Sequence, residues 1–155
     1  NKYDPLVLFE KEKMILNFQD EQAVYGLGWT HNFHSPNPGI WTEGNISNLL
    51  FALNKNTNKN SEIKIKISSI ITKKNQPINF TVKIDDNFSK KFILKNINEL
   101  KNNSIFIKVD KSMLNKKIIY IKFIIDNPTT RLELLESPDA RKLGILVESL
   151  ELINN

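Results

Sequence analysis

The feature that most constrains the fold is a strict alternation of apolar and polar side chains in short runs. Within residues 80–84, Phe80, Val82 and Ile84 fall on one side of an extended chain, whereas Thr81 and Lys83 fall on the other. This period of two is typical of strands with one buried face. Other runs rich in apolar or β-branched residues cover 14–18, 49–53, 62–72, 91–94, 105–109, 117–125 and 143–152. The pattern predicts an all-β chain of about eight or nine strands, folded as a two-sheet antiparallel β-sandwich.

The length of the chain suits one domain. A chain of 155 residues can enclose a single sizeable core, and the only helices expected are single turns at residues 97–100 and 111–114. We therefore predict one β-sandwich domain over residues 1–155. The chain begins Asn-Lys-Tyr-Asp, without an initiator methionine or a signal-peptide pattern, which suggests a domain excised from a larger protein.

The absence of cysteine removes disulfides and thiolate metal sites from consideration. No apolar run approaches the roughly 18 residues that a membrane-spanning helix needs, so we expect no transmembrane segment in this chain. Together with the missing signal peptide, these features favour a cytoplasmic or membrane-associated location.

The net charge of +5 does not predict nucleic-acid binding. The chain has 21 Ile, 20 Lys and 21 Asn but only two Arg, a bias that A/T-rich codons explain. Nucleic-acid-binding domains usually cluster their basic residues on one face and favour arginine. Here the lysines are spread along the chain and alternate with isoleucine, as on a solvated strand face. We therefore expect no nucleic-acid partner.

Residues 25–44 depart from this composition, because they hold four of the five glycines, both tryptophans and both histidines. An indole on a loop can stack on the apolar face of a sugar ring while neighbouring polar groups bind the hydroxyls. Trp29 and Trp41 would provide the stacking surfaces, and the hydrogen-bonding groups would be His31, His34, Asn32 and Glu43. The alternative is that either tryptophan closes one end of the sandwich core.

The two histidines of this segment also suggest a second chemistry. His31 and His34 are three residues apart, and Glu43 would supply a third metal ligand or an acid–base group. A small metal-assisted hydrolase is therefore an alternative function. The spacing lacks a fourth ligand or a helical frame, and no nucleophile stands in a recognised turn motif. We expect no catalytic residue, no bound metal and no cofactor.

Residues 129–144 form the second unusual segment, because they contain both arginines. Asp139 and Arg141 are separated by one residue, so their side chains point the same way on an extended chain. One interpretation is a structural pair, in which Arg141 anchors a loop and Asp139 pairs with it. The other is that both line a ligand site beside the tryptophan segment.

Taken together, the two segments resemble a known group of domains. The motifs are Gly28-Trp29, the run from Ile40 to Gly44 before a leucine-rich strand, and the late run from Ser137 to Ile145. These motifs are similar to jelly-roll, carbohydrate-binding-module-like accessory domains of bacterial cell-surface polysaccharide glycosyltransferases and phosphoglycerol-transferase-like proteins. The resemblance covers about residues 25–152.

The resemblance implies a jelly-roll-like, non-catalytic, carbohydrate-binding accessory domain of a protein that builds capsule, O-antigen or a similar glycan. Its implied partners are a glycan or a nucleotide-sugar-pathway substrate and the other domains of the same polypeptide. The ligand-binding set would be Trp29, His31, Trp41, Glu43, Asp139 and Arg141. The alternative is a structural or oligomerisation module that packs on a glycosyltransferase domain.

Overall fold

The computed structural model describes residues 8–9, 13–15, 27–32, 38–53, 61–85, 88–96, 103–110 and 118–154. The two one-turn helices expected from the sequence lie outside these residues. The described strands are β1 (Leu8–Phe9), β2 (Lys13–Ile15), β3 (Trp29–His31), β4 (Ile40–Glu43), β5 (Ile46–Leu53), β6 (Ser61–Ser68), β7 (Ile78–Ile84), β8 (Phe88–Leu94), β9 (Ser104–Val109), β10 (Ile118–Ile125) and β11 (Leu143–Asn154). One short helix, α1 (Arg131–Leu135), precedes β11.

The strands form two packed sheets, which confirms the predicted all-β sandwich. Sheet A has the order β1-β5-β10-β7-β8, and sheet B has the order β3-β4-β11-β6-β9, with β2 paired to β11. Every pairing is antiparallel except that of β1 with β5. From β4 onward, each connection passes from one sheet to the other except the β7–β8 hairpin, which gives a jelly-roll-like arrangement. The short strands β1, β3 and β4 fall outside the runs expected from the sequence, whereas β2 overlaps the run expected at residues 14–18.

The core lies between the sheets and follows the alternation seen in the sequence. In β6, Ile63, Ile65 and Ile67 are buried, whereas Lys66 on the opposite face is exposed. The facing strands of sheet A contribute large apolar side chains, among them Phe123. Burial of apolar surface of this kind is the main favourable contribution to folding.

Strand β11 keeps its apolar residues in the core by means of a β-bulge. Ile145 and Val147 face the core before the bulge, and Leu150 faces the core after it. These positions differ in parity, so a regular strand could not bury all three. Val147 pairs with Ile67 and Ser149 with Lys66, which leaves Glu148 as the extra residue. The bulge thus leaves both Glu148 and Ser149 on the outer face, while Leu150 returns to the core.

Gly28 allows the chain to pass close to β5 before it enters β3. Its φ is +91°, and a Cβ atom at this position would lie 2.0 Å from the carbonyl oxygen of Ile46. The Gly28 carbonyl accepts hydrogen bonds from the Glu43 backbone N–H at 2.7 Å and the Ser47 hydroxyl at 2.6 Å. Only glycine combines this backbone conformation with this close approach. The β3–β4 hairpin is thereby held against the edge of β5.

Candidate functional site

The β3–β4 hairpin places the two tryptophans on opposite faces of sheet B. Trp29 pairs with Thr42, and Thr30 pairs with Trp41. Since directly paired residues share a face and successive residues alternate, Trp29 and Trp41 point to opposite sides. The two indoles therefore do not form one stacking platform, although the sequence places them in one segment.

Trp29 packs between the sheets. Its ring meets the edge of Phe123 with a centroid distance of 5.6 Å and an interplanar angle of 78°. Its indole N–H donates to the backbone carbonyl of Asn48 at 2.6 Å. A half-buried tryptophan with both its ring and its polar atom engaged by the protein closes this end of the core.

Trp41 lies on the outer face of sheet B, where it belongs to a second, smaller apolar cluster with Leu143 and Leu146. Ile70, from the connection between β6 and β7, packs against the same cluster. The side chain is only 4% exposed. Its indole N–H donates to the amide oxygen of Asn32 at 3.3 Å. Trp41 is thus buried beneath loops that cross the outer face of the sheet.

The connection between β10 and β11 covers Trp41 with Arg131. Thr130 caps α1, since its hydroxyl oxygen accepts from the Glu133 backbone N–H at 3.0 Å. Arg131 is the first residue of this helix, and its guanidinium carbon lies 5.7 Å from the centroid of the Trp41 ring. This distance is within the range of cation–π attraction. The cap and the aromatic ring together fix the place of the guanidinium.

A polar cleft of about 200 Å³ opens beside this pair. Its lining carries an amide, two hydroxyls, a guanidinium and a carboxylate beside three apolar side chains. The lining residues are Asn32, Trp41, Ser68, Ser69, Ile70, Arg131, Leu146 and Glu148. Strand β11 supplies the carboxylate because Glu148, like Leu146 two residues earlier, lies on the outer face of sheet B. The cleft therefore combines residues from four separate parts of the chain.

The cleft carries one cation and one anion on different walls. Burial lowers the pKa of the Arg131 guanidinium from its usual value, and the positive charge of Arg141 lowers it further. The negative charge of Asp139 raises this pKa and so opposes both effects. The guanidinium remains protonated, because an arginine pKa lies far above neutrality. Glu148 lies 3.9 Å from the ammonium of Lys66. Both charged groups are thus available as partners for polar ligand atoms.

Asp139 and Arg141 form the structural pair considered above. The Arg141 Nε and Nη2 atoms donate to the two carboxylate oxygens of Asp139 at 2.9 and 2.6 Å. Arg141 Nη1 also donates to the Thr30 hydroxyl at 2.9 Å and to the His31 carbonyl at 2.6 Å. The hydrogen bond with Asp139 raises the pKa of Arg141 despite the opposing effect of burial. Arg141 thereby ties β3 to the segment that precedes β11.

The structure describes two of the three metal ligands suggested by the sequence. His31 is exposed at the end of β3 and Glu43 is half-buried at the end of β4, whereas His34 lies outside the described residues. Among the residues that are described, no group of three His, Asp or Glu side chains is arranged to hold a metal ion. Over the same residues, no helix has the length and apolar character needed to cross a membrane.

Of the six ligand-binding residues predicted from the sequence, only Trp41 lines the cleft. Sequence reasoning also named Asn32 as a hydrogen-bonding group, but it missed Arg131, Glu148 and Ser68. Arg131 had one signal, because it is one of two arginines in a lysine-rich chain. Glu148 had none, since alternation places its side chain on the outer face of β11 but does not show that Trp41 and Arg131 meet it there.

No protein-family model matches the chain, and no curated protein sequence matches it. Several solved structures are similar in fold. One is a β-(1,4)-mannanase of Podospora anserina with a family-35 carbohydrate-binding module, at 10% identity and a TM-score of 0.48 over 92% of this chain and 28% of that one. The chain thus spans less than a third of the mannanase.

Two isolated modules are similar over most of their length. One is a family-36 carbohydrate-binding module of a multidomain xylanase from the hindgut metagenome of Trinervitermes trinervoides. It has 10% identity and a TM-score of 0.47, and the match covers 92% of this chain and 98% of the module. A family-61 module solved with β-1,4-galactotriose has 6% identity and a TM-score of 0.40, covering 79% and 74%. At these identities and TM-scores, what the modules bind says nothing about the ligand of this chain.

Proposed function

We propose that this domain binds carbohydrate and that the cleft beside Trp41 holds one sugar residue. The observation that carries the proposal is the lining of the cleft, which brings a guanidinium, a carboxylate, an amide and two hydroxyls together with apolar side chains. A sugar ring has an apolar face and a rim of hydroxyls, so it needs both kinds of surface at once. The volume of about 200 Å³ is below the usual range for drug-sized ligands, which suits a single ring.

Each wall has a distinct role in this proposal. Glu148 accepts hydrogen bonds from sugar hydroxyls, and Arg131 donates to ring or hydroxyl oxygens. Hydrogen bonds with a charged partner are stronger than neutral ones, so two opposite charges can bind several hydroxyls of one ring. The Asn32 amide and the Ser68 hydroxyl complete the polar rim. None of these groups is arranged as a nucleophile with its base, so the proposed role is binding without catalysis.

The predicted contacts outside the cleft have different roles in this proposal. Asp139 and Arg141 brace β3, and Trp29 supports the core, so we propose no direct sugar contact for them. His31 and Glu43 lie at the ends of β3 and β4 and do not line the cleft, so we propose no contact between them and a single bound ring.

Protein NMR titration with sugars and surface-polysaccharide fragments tests the proposal. We expect shifts of the Trp41 indole and of the Asn32 and Ser68 signals. Glu148→Gln should weaken binding about tenfold, because one charge-assisted acceptor is lost. Glu151→Gln is the matched control, since Glu151 lies in the same strand and does not line the cleft.

Two results would contradict the proposal: equal loss in both variants, or sugar-induced shifts confined to other surfaces. If no sugar binds, the structural or oligomerisation module becomes the better interpretation, and light scattering of the purified domain then tests self-association.

The biological setting suggested by the sequence resemblance is a further part of this proposal. There the domain would accompany a glycosyltransferase or phosphoglycerol-transferase-like enzyme and bind capsule, O-antigen or a related glycan. The full-length sequence of the parent protein tests this directly, because a neighbouring catalytic domain of another class would contradict it.

A further inference from the structure

Arg131 differs from every other charged group around the cleft in its lack of a close partner. Within the described part of the chain it forms no ion pair, and its buried Nε atom has no hydrogen-bond acceptor. The Asp139 carboxylate, whose charge acts on Arg131, already has both oxygens bound by Arg141. A buried donor without an acceptor is costly, so it calls for a specific explanation, of which a bound ligand or water is one.

The position of Arg131 prepares it for a planar anion. Its guanidinium is held over the Trp41 ring and lines the cleft. A guanidinium presents its donors in one plane and matches the two oxygens of a carboxylate. The aromatic ring below holds this plane in place, so little side-chain entropy remains to be lost when an anion binds.

Glu148 on another wall of the cleft limits what kind of anion can enter. Its carboxylate repels a second negative charge, although Lys66 at 3.9 Å offsets part of its field. A doubly charged phosphate would meet more of this repulsion than a singly charged carboxylate. The same Glu148 accepts hydroxyl hydrogen bonds, so it favours the neutral, hydroxyl-bearing side of a sugar.

We propose that the cleft selects a sugar acid, with the carboxylate bound by Arg131 and ring hydroxyls directed to Glu148. The inference rests on the proposed function, because it names the class of sugar for the same cleft. The two charged side chains orient the ring: the acidic substituent lies against Arg131, and the apolar face lies towards Ile70, the apolar lining residue that is not fully buried. The ligand class is a uronic acid residue, free or within an acidic polysaccharide.

Matched sugars test this inference by calorimetry or NMR titration. Methyl glucuronide and methyl galacturonide are each compared with the neutral parent glycoside and with the uronide methyl ester, which keeps the shape but removes the charge. We expect at least one uronide to bind about tenfold more tightly than its ester and its neutral parent. In Arg131→Gln this ratio should fall to near one, and Arg131→Lys should retain only part of it, because the ammonium cannot form the fork.

The outcomes separate the two proposals. If a neutral sugar binds at the cleft as well as its uronide, the acidic preference is wrong and the carbohydrate-binding function stands. A preference that persists in Arg131→Gln also overturns the inference, since another group must then bind the carboxylate. If neither member of any pair binds, the proposed function itself fails. The comparison of uronide with ester needs only the unaltered protein, so it decides the question even if the Arg131 variants do not fold.

Discussion

The brace formed by Arg141 gives the sharpest stability prediction. Its guanidinium donates twice to Asp139 and also to the Thr30 hydroxyl and the His31 carbonyl. The side chains of Arg141 and Asp139 are only 18% and 10% exposed. Replacement by glutamine leaves the Asp139 carboxylate largely buried without its cation, and it frees the end of β3.

The neighbouring residue provides a matched control. Lys142 pairs with Glu133 at 3.1 Å, but these side chains are 56% and 55% exposed. Exposed pairs contribute about 0–1 kcal/mol, whereas breaking a buried pair costs about 3–5 kcal/mol. Because Arg141 and Asp139 are not fully buried, we expect the lower end, about 3 kcal/mol, for Arg141→Gln. In a domain of this size that lowers Tm by about 6–12 °C.

Urea denaturation followed by circular dichroism measures both variants on one scale. Hydrogen exchange adds a local readout, since Arg141→Gln should deprotect the amides of β3 while Lys142→Gln leaves them protected. Arg141→Lys separates charge from geometry, and it should recover less than half of the loss because an ammonium cannot bind both carboxylate oxygens in a fork. The reasoning is refuted if Arg141→Gln costs no more than Lys142→Gln.

Two further predictions concern the start of the β3–β4 hairpin. Gly28→Ala should destabilise the domain by at least about 2 kcal/mol, because the added Cβ would overlap the Ile46 carbonyl. Gly44 also has a positive φ, +76°, but a Cβ there would meet no atom within 4 Å, so Gly44→Ala should cost only about 1 kcal/mol. Equal costs in thermal unfolding would show that the close approach is not the cause. Trp29→Phe should cost about 1–2 kcal/mol through the lost hydrogen bond to Asn48, with sugar binding at the cleft retained. Loss of binding in that folded variant would return Trp29 to the recognition site.

Most of the strands could be predicted from the sequence because alternation is a local property. The alternating run at residues 80–84 lies within β7 (Ile78–Ile84). The late run expected at 143–152 is β11, which extends to Asn154. The short helix α1 was not expected, because five residues give too weak a periodic signal and their structure depends on the Thr130 cap.

The cleft could not be predicted in the same way, because its walls meet only through sheet order. Arg131 belongs to α1 and Glu148 to β11. Trp41 lies close to Glu148 because β4, which carries Trp41, pairs with β11, as β6 does on the other side of β11. The opposite orientation of Trp29 and Trp41 likewise depends on the register of the β3–β4 hairpin. Composition drew attention to both segments, but only the pairing of the strands shows which side chains share a face.

The β-bulge in β11 has a consequence for how this domain can change. Glu148 lies between Val147 and Ser149 and has no partner in β6. Its side chain lines the cleft on the outer face of sheet B and takes no part in the core. An exchange at this position alters the chemistry of the cleft while Val147 and Leu150 remain buried. Ligand preference and fold stability are therefore separable at this site. Substitutions there should yield a series of binding variants that unfold at nearly the same temperature.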